Sequence, residues 1–262
     1  MLRAFSTAAT GMAAQQMIVD TIANNLANIN TTGFKRSQVD FQDLVYVKLS
    51  EAGREIAAGV TAPTGFEIGS GVTPASTLKV FTQGELQNTG RSLDLAIEGD
   101  GFFQVLGPSG EVRYTRDGAL RINANGNLVT SSGYTLQPAI TIPADARSIS
   151  VGADGTVSVF AGSSNTATVV GTITLVRFPN PAGLSSEGRN LLAETVASGS
   201  PATGTAGQDG LGTIQQGFLE RSNVQMVAEL VNLITAQRAY EINSRAIRVG
   251  DEMLTTTNRL IT

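Results

Sequence analysis

Cysteine, histidine and tryptophan are absent from the 262-residue chain. Without cysteine there are no disulfides, thiol nucleophiles or thiolate zinc sites, and without histidine there is no acid–base chemistry that depends on imidazole. Aromatic residues make up only 5% of the chain, so an aromatic-rich binding site is hard to place. These absences argue against most enzyme, cofactor and metal sites.

Charged residues are also sparse, at 15%, and the formal net charge is −4. A phosphate-binding surface needs clustered lysine and arginine, so we expect no nucleic acid partner. No apolar run is long enough to span a bilayer, so we expect no membrane insertion. Thr7, Thr10, Gln15 and Gln16 interrupt the apolar N-terminus, which makes it a poor secretory signal. Two interpretations stay open: a cytoplasmic protein, or one exported by a route that removes no peptide.

Glycine and proline divide the chain into three parts. All eight prolines lie between Pro63 and Pro201, and only three of the 29 glycines fall outside residues 53–217. Both residue types mark turns and interrupt helices. The sequence therefore predicts a middle part rich in turns and two helical ends.

The N-terminal part repeats apolar residues at nearly heptad spacing, which indicates a helix. We expect this helix to end at Gly33, because glycine adopts the left-handed conformation that closes helices. Asn24, Asn25, Asn28 and Asn30 crowd its last turns, although asparagine is a mediocre helix former. Two interpretations stay open: fraying before a turn, or amides that bond the backbones of neighbouring chains and fix register. The apolar positions expected in assembly are Leu2, Phe5, Met12, Val19, Ile22, Leu26 and Ile29.

The C-terminal part predicts a longer helix, which an S-x-x-Q capping box at Ser222 and Gln225 would begin. Its apolar residues fall on two stripes, whereas a helix with one partner surface needs only one. The first stripe comprises Met226, Leu230, Leu233, Tyr240, Ile247 and Leu254. The second stripe comprises Val227, Val231, Ile234, Ile242, Val249, Met253 and Leu260. One N-terminal helix cannot cover both, so a packed assembly of several chains is favoured over a self-contained helix pair.

The middle part predicts a compact all-β domain of short strands. Asp117-Gly118, Asn125-Gly126 and Asp154-Gly155 are residue pairs typical of hairpin turns. Residues 195–217 are almost entirely small or polar and predict an extended return to the C-terminal helix. Expected strands include 93–98, 112–115, 119–123, 128–130, 149–151, 156–160 and 169–177.

No polar cluster in the sequence requires catalysis. Asp94, Glu98 and Asp100 crowd one expected hairpin, and paired carboxylates can hydrolyse glycosides. Asp94 and Glu98 nevertheless fall on the polar face of an alternating strand, where solvated acids are expected. Lys35 and Arg36 follow the helix end and are interpreted most simply as solvated surface. We therefore expect no enzyme activity, no cofactor and no metal.

The run ANNLANINTTGFKR (Ala23–Arg36) resembles the signature of the flagellar axial proteins, the rod and hook family. The run ERSNVQMVAELVNLITAQRAYEINSRAI (Glu220–Ile247) resembles the partner signature at the C-terminus, and AIEGDGFFQV (Ala96–Val105) is also similar. The segment Leu44–Ile68 resembles the extra segment of distal-rod members, which is thought to stiffen the assembly. Within it, Ser50–Glu55 looks locally helical or coiled.

The resemblance implies an α+β fold, with long N- and C-terminal helices paired as a coiled-coil inner domain around an export channel. Its implied boundaries are an N-terminal helix at 1–33, a connecting region with the rod-type segment at 34–75, a β-rich outer domain at 76–195, an extended return linker at 196–221 and a C-terminal helix at 222–262. The implied protein is a structural subunit of the flagellar distal rod. It polymerises into a straight hollow drive shaft that transmits torque from the motor to the hook.

The resemblance also implies partners and a location. The partners are further copies of the chain, proximal rod proteins, the hook protein, the surrounding periplasmic and outer-membrane rings, and the flagellar type III export apparatus. The location is the basal body in the periplasm, reached without a cleaved signal peptide. The family signature, expected to form a joint between the polymerising core and the outer body, comprises Asn24, Asn25, Leu26, Ala27, Asn28, Gly33, Phe34 and Lys35.

Two function classes besides a structural subunit stay open at this point. One is a surface-attached binding module, in which a β domain on a coiled-coil stalk recognises a glycan or a host protein. The other is an enzyme that acts on peptidoglycan, suggested only by the acidic hairpin.

Overall fold

A computed structural model describes the backbone of residues 2–57, 60–107, 110–162 and 166–261. Within these ranges the chain has one long α-helix at each end and many short strands between them, so the fold is α+β. Helix α1 spans Leu2–Ala27 and helix α2 spans Met226–Ile261. Alanine, methionine and glutamine, which are good helix formers, recur through α1.

The chain forms two compact units, and each is discontinuous in sequence. The first unit comprises Met1–Leu26, Ser37–Leu78 and Gln225–Thr262, and the second comprises Ala27–Arg36 and Lys79–Val224. Both helices therefore belong to the first unit, and the regular secondary structure described in the second unit consists of short strands and one 3₁₀ helix.

The two helices contact one another in the first unit. A Cβ atom built on Gly250 would lie 2.8 Å from the Phe5 ring, and one built on Gly11 would lie 2.9 Å from Asn243 Nδ2. Because Phe5 precedes Gly11 in α1 while Gly250 follows Asn243 in α2, the helices run antiparallel. Small residues at these two positions allow the helices to approach closely.

The strands of the first unit form two-stranded pairs. β1 pairs with β6, and a long hairpin pairs β2 with β5 and β3 with β4. The bounds are β1 Ser37–Asp43, β2 Val47–Ser50, β3 Glu55–Ala57, β4 Val60–Thr61, β5 Phe66–Ile68 and β6 Val72–Lys79. The strands described in the rod-type segment therefore pair as a β-hairpin. Ser50–Glu55 is not helical: Ser50 ends β2, Ala52 and Gly53 form a turn, and Glu55 begins β3.

The second unit contains strands β7 to β22. Their bounds are β7 Leu86–Asn88, β8 Leu95–Glu98, β9 Phe102–Leu106, β10 Val112–Thr115, β11 Arg121–Ile122, β12 Leu128–Val129, β13 Thr135–Gln137, β14 Ala146–Val151, β15 Thr156–Ala161, β16 Thr168–Thr172, β17 Thr174–Arg177, β18 Ser185–Gly188, β19 Leu191–Ala193, β20 Ala202–Thr205, β21 Thr213–Gln216 and β22 Phe218–Glu220. A short 3₁₀ helix spans Pro181–Gly183.

The largest sheet of the second unit has nine strands. Its main path runs β11-β12-β13-β9-β10-β19-β18. Outside this path, β17 pairs with β9, and β20 pairs with β17. A separate three-stranded sheet runs β14-β15-β16, while β8 pairs with β21 and β7 with β22. The core is built mainly from aliphatic side chains together with Phe103. Its fully buried members include Phe103, Val105, Leu136, Val157, Ile173 and Leu175. Phe102, Tyr114 and Phe178 form a second, edge-to-face aromatic cluster.

Local turn signals predicted some of these strands well and others poorly. The expected strand at 112–115 is β10, and 156–160 lies within β15. The expected strand at 169–177 is instead two strands, β16 and β17, which separate at Ile173. Asn125-Gly126 and Asp154-Gly155 connect paired strands, but Asp117-Gly118 does not, because β10 and β11 are not neighbours in the sheet.

Candidate functional site: the signature segment and the exposed helix face

Asn25 lies near the end of α1 and is only 1% exposed. Its Nδ2 atom donates a hydrogen bond to Ser37 O at 2.9 Å, and its Oδ1 atom accepts one from Ser37 N, also at 2.9 Å. The amide thereby gives the first residue of β1 both hydrogen bonds that a neighbouring strand would supply. Both earlier interpretations are wrong for Asn25, because this residue neither frays nor bonds a neighbouring chain through these atoms.

The helix ends earlier than the sequence predicts. α1 ends at Ala27, and the expected end at Gly33 is wrong by six residues. Asn28 forms a turn instead: its backbone carbonyl accepts from Thr31 N and its Oδ1 accepts from Thr31 Oγ1, both at 3.1 Å. Asparagine and threonine side chains favour such local bonds over helical continuation.

The position of Gly33 requires a positive φ and leaves no room for a side chain. Its φ is +67°, and a Cβ atom would lie 2.7 Å from Arg116 C and from Asp117 N. Its N–H donates to Glu220 O at 2.8 Å. Glycine is therefore needed here for conformation and for space, although it does not end the helix.

Lys35 is buried, and the interpretation of this residue as solvated surface is wrong. Its Nζ atom donates to Glu220 Oε1 at 2.6 Å and to Thr82 O at 2.8 Å, and Gly84 N donates to the same carboxylate oxygen at 2.9 Å. The Lys35 side chain is 3% exposed and the Glu220 side chain 0% exposed. Burial lowers the pKa of Lys35, and the Glu220 carboxylate opposes that shift.

Arg116 contacts the same carboxylate from another strand end. Its Nη1 atom lies 3.4 Å from Glu220 Oε2, and its Nη2 atom donates to Gly99 O at 2.7 Å. The guanidinium also stacks over the Phe102 ring, 5.5 Å from the centroid. Its Nε atom has no hydrogen-bond partner among the described residues. Burial lowers the pKa of Arg116, and Glu220 again opposes the shift. We call Lys35, Arg116 and Glu220 the buried charge cluster.

The residues on either side of Lys35 are bonded to the second unit as well. Arg36 N donates to Asn223 Oδ1 at 2.8 Å, and Asn223 Nδ2 donates to Val80 O, also at 2.8 Å. Phe34 lies under Lys79, whose Nζ atom is 5.2 Å from the ring centroid. The signature from Gly33 to Arg36 is therefore an integral part of the second unit.

The start of α2 differs from the expected capping box. Ser222 Oγ accepts a hydrogen bond from Val224 N at 3.3 Å, and α2 begins only at Met226. The prediction of a box at Ser222 is therefore wrong. Ser222 instead belongs to a local turn, and the backbone carbonyl of Gln225 accepts the bond from Glu229 N.

The two stripes of α2 differ in exposure. Glu229 and Ala236, each 3% exposed, mark the covered side of the helix. Of the first stripe, Leu233, Ile247 and Leu254 are partly buried, whereas Met226, Leu230 and Tyr240 are 51%, 40% and 42% exposed. The second stripe is open throughout its described side chains: Val227 76%, Val231 56%, Ile234 56%, Ile242 66%, Val249 42% and Met253 54%. The side chain of Leu260 lies outside the described residues. We call this open stripe the exposed helix face.

The apolar positions of α1 are more covered than those of α2. Ile22 is buried at 5% exposure. The Leu2 side chain lies outside the described residues. Two residues of the family signature in this helix, Asn24 and Ala27, are exposed. The half-buried positions are Phe5, Met12, Val19 and Leu26 in α1 and Ile29 in the turn that follows the helix.

The acidic residues do not form a carboxylate pair for catalysis. The expected hairpin is absent, because β8 pairs with β21 while β9 lies in the large sheet. Asp94 is 0% exposed, so the expectation of a solvated acid is wrong for this residue; Arg91 Nη2 and Thr89 Oγ1 each lie 2.6 Å from its carboxylate. Across the described ranges no group of His, Cys, Asp and Glu is placed to hold a metal ion, and no helix is long and apolar enough to cross a membrane.

Sequence reasoning missed Glu220, Arg116 and Asn223 as functional partners of the signature. All three are residue types that are ordinarily found at the surface, so local pattern gives no sign of their roles. Two features of the sequence could have pointed to Glu220: charged residues are few, and Glu220 is the first residue of the C-terminal signature run.

Sequence models of three families match the chain, and together they define a flagellar rod and hook type protein. They are a flagella basal body rod protein family at residues 5–35, the flagellar hook protein FlgE/F/G D1 domain at 96–159 and the C-terminal domain of the flagellar basal body rod FlgEFG proteins at 215–260. The first match covers the N-terminal signature run up to Lys35, and the last includes the whole C-terminal run.

Full-length relatives narrow the family further. The chain is 48% identical to the flagellar basal-body rod protein FlgG of Borreliella burgdorferi and 45% identical to that of Caulobacter vibrioides, with 99% of each chain covered in both cases. It is 38% identical to FlgG of Bacillus subtilis over 97% of each chain. The chain therefore belongs to the FlgG family of flagellar basal-body rod proteins, structural subunits of the rod, and the resemblance seen in the sequence is confirmed.

Proposed function

We propose that the chain polymerises into the distal rod, a straight hollow shaft that transmits torque to the hook and encloses an export channel. The observation that carries this proposal is the exposed helix face, a line of apolar side chains for which α1 provides no cover. Fully burying one aliphatic side chain contributes roughly 1.5–3 kcal/mol. Six half-exposed side chains therefore supply on the order of 5 kcal/mol or more per copy when further copies cover them.

The helices are proposed to pair as a coiled coil in an inner domain made from α1, Leu2–Ala27, and α2, Met226–Ile261. The β-rich part then forms the outer domain. It comprises the expected range 76–195 and also the return segment at 196–221, because β20, β21 and β22 of that segment pair with β17, β8 and β7. Copies related by a helical operator make heterologous contacts that do not close, which gives a filament rather than a ring. The role is structural, with no catalytic step.

The partners follow from this place in the flagellum. Besides other copies, the shaft would contact proximal rod proteins, the hook protein and the surrounding periplasmic and outer-membrane rings. The chain would reach the periplasm through the flagellar type III export apparatus without a cleaved signal. The signature residues would join the polymerising helices to the outer body.

Electron microscopy of the purified protein across a concentration series tests the proposal. We expect straight tubes above a critical concentration and monomers below it. Curved tubes would instead indicate a hook-like assembly. Particles that remain monomeric at every concentration, and that bind glycan, would contradict the proposal and favour a binding module.

A further inference from the structure

The buried charge cluster joins two chain segments that are far apart in sequence. Lys35 and Glu220 are separated by 185 residues, yet their charged atoms lie 2.6 Å apart. Of the residues between them, 36 and 79–219 belong to the second unit and 37–78 to the first. Lys35 therefore lies in the short segment by which the chain first enters the second unit, Ala27–Arg36, and Glu220 lies near the point where the chain finally leaves it. A second bond, from Gly33 N to Glu220 O at 2.8 Å, lies beside it.

Several hydrogen bonds fix the positions of the charged groups in the cluster. Glu220 Oε1 accepts from Lys35 Nζ and Gly84 N, while Oε2 faces Arg116. Lys35 Nζ also donates to Thr82 O, so the segment between β6 and β7 bonds both members of the pair. A buried pair with this many additional bonds resists opening, because separating it leaves charges unpaired away from water.

We propose that Lys35, Arg116 and Glu220 form a mechanical clasp, which carries tension directly between the entry and exit segments of the second unit. Force applied at the two segments then passes mainly across the Lys35–Glu220 contact, and the bonds from Gly33 N to Glu220 O and from Thr32 Oγ1 to Asp117 Oδ1 share the load. The sheets stay folded while the clasp holds. The use of such a clasp in a torque-transmitting shaft rests on the proposed function, but the clasp itself does not.

Single-molecule pulling on the full-length monomer tests this proposal. The chain has no cysteine, so two introduced cysteines give unique attachment points. Asn30→Cys and Arg221→Cys, both exposed, place the load across the clasp. Opening the clasp should transfer the load to the strands, and their complete unfolding would then extend a separation of 185 residues, or about 65 nm at roughly 0.35 nm per residue. Lys35→Gln and Glu220→Gln are expected to shorten the lifetime under constant force by about a hundredfold or more.

A second pulling direction distinguishes a clasp from a general stabilising contact. Attachment at Asn30→Cys and Val196→Cys uses a fully exposed position and sends the load into the sheets instead. The same two substitutions are expected to change the lifetime in this direction by less than threefold. Equal effects in both directions would overturn the proposal, and so would no effect in the first direction.

Two controls complete the test. Glu187→Gln removes a partly exposed partner of Arg113 and is expected to leave the lifetime unchanged in both directions, because exposed ion pairs contribute little. Lys35→Gln keeps a hydrogen-bond donor, so it remains informative where Glu220→Gln fails to fold. Tube formation is measured separately, and its failure would contradict the proposed function while leaving the clasp result intact.

Discussion

Ile234→Asp on the exposed helix face is the sharpest perturbation of assembly that the structure allows. Ile234 is 56% exposed, so the substitution removes little packing from the monomer. If further copies cover it, roughly half of the 1.5–3 kcal/mol for a buried isoleucine is lost. Burying an unpaired carboxylate adds a penalty of several kcal/mol. The total is about 3 kcal/mol or more per copy, which raises the critical concentration about a hundredfold.

The measurement is the critical concentration by sedimentation, with far-ultraviolet circular dichroism to check that the β strands remain. Asn232→Asp is the matched control, because it adds the same charge two residues away, about 200° around the helix. Asn232 is already exposed and polar. Leu233→Asp is expected to block assembly as well, but it also disturbs the monomer because Leu233 is partly buried. Unchanged assembly by Ile234→Asp, or equal inhibition by Asn232→Asp, would refute the reasoning.

Four further outcomes are expected. Gly33→Ala should destabilise the second unit by about 2–4 kcal/mol in urea unfolding, since a positive φ and two close backbone atoms oppose a side chain; an unchanged midpoint would count against this. Asn25→Leu should speed hydrogen exchange at the Ser37 amide by tenfold or more, because that N–H loses its acceptor. Limited proteolysis of the monomer should remove both helices and leave a core that keeps both Lys35 and Glu220; a core ending near residue 215 would show that the cluster is not protected. In a carbon-13 titration Lys35 should lose its proton below the ordinary pKa of 10.5, because burial disfavours its charge. Between the lowered pKa of Lys35 in the folded protein and its ordinary pKa in the unfolded chain, the unfolded chain binds more protons than the folded protein. The contribution of Lys35 to the free energy of unfolding therefore rises with pH in that window.

Those features that depend on short-range signals could be predicted from the sequence. The hairpin at Asn125-Gly126 follows from turn chemistry, and β10 follows from a short stretch that contains the strand-forming residues valine, tyrosine and threonine. The open stripe of α2 follows from counting apolar faces against one available partner helix. Each of these inferences needs only residues within a few turns of one another.

The buried charge cluster could not be predicted in this way. Lys35 beside Arg36 has the appearance of a solvated basic pair, and its counter-ion is 185 residues away. The burial of Asp94 could not be predicted for a related reason. Alternation along a strand indicates on which face of the sheet a side chain lies, but not whether other residues cover that face. The helix end was misplaced because the bonds between Asn28 and Thr31 compete with the helix, and propensity alone does not decide between them.

The exposed helix face and the buried charge cluster have different physical roles. Apolar burial is non-directional and scales with area, so the helix face can supply association energy but fixes geometry only weakly. The cluster contributes little net stability relative to an apolar replacement, yet its bonds hold two segments in one arrangement. Substitutions at independent sites usually add. Ile234→Asp combined with Glu220→Gln should therefore show the assembly defect of the first and the lifetime defect of the second, each at its single-variant size. A combined effect much larger than the sum would mean that assembly and the clasp depend on one another.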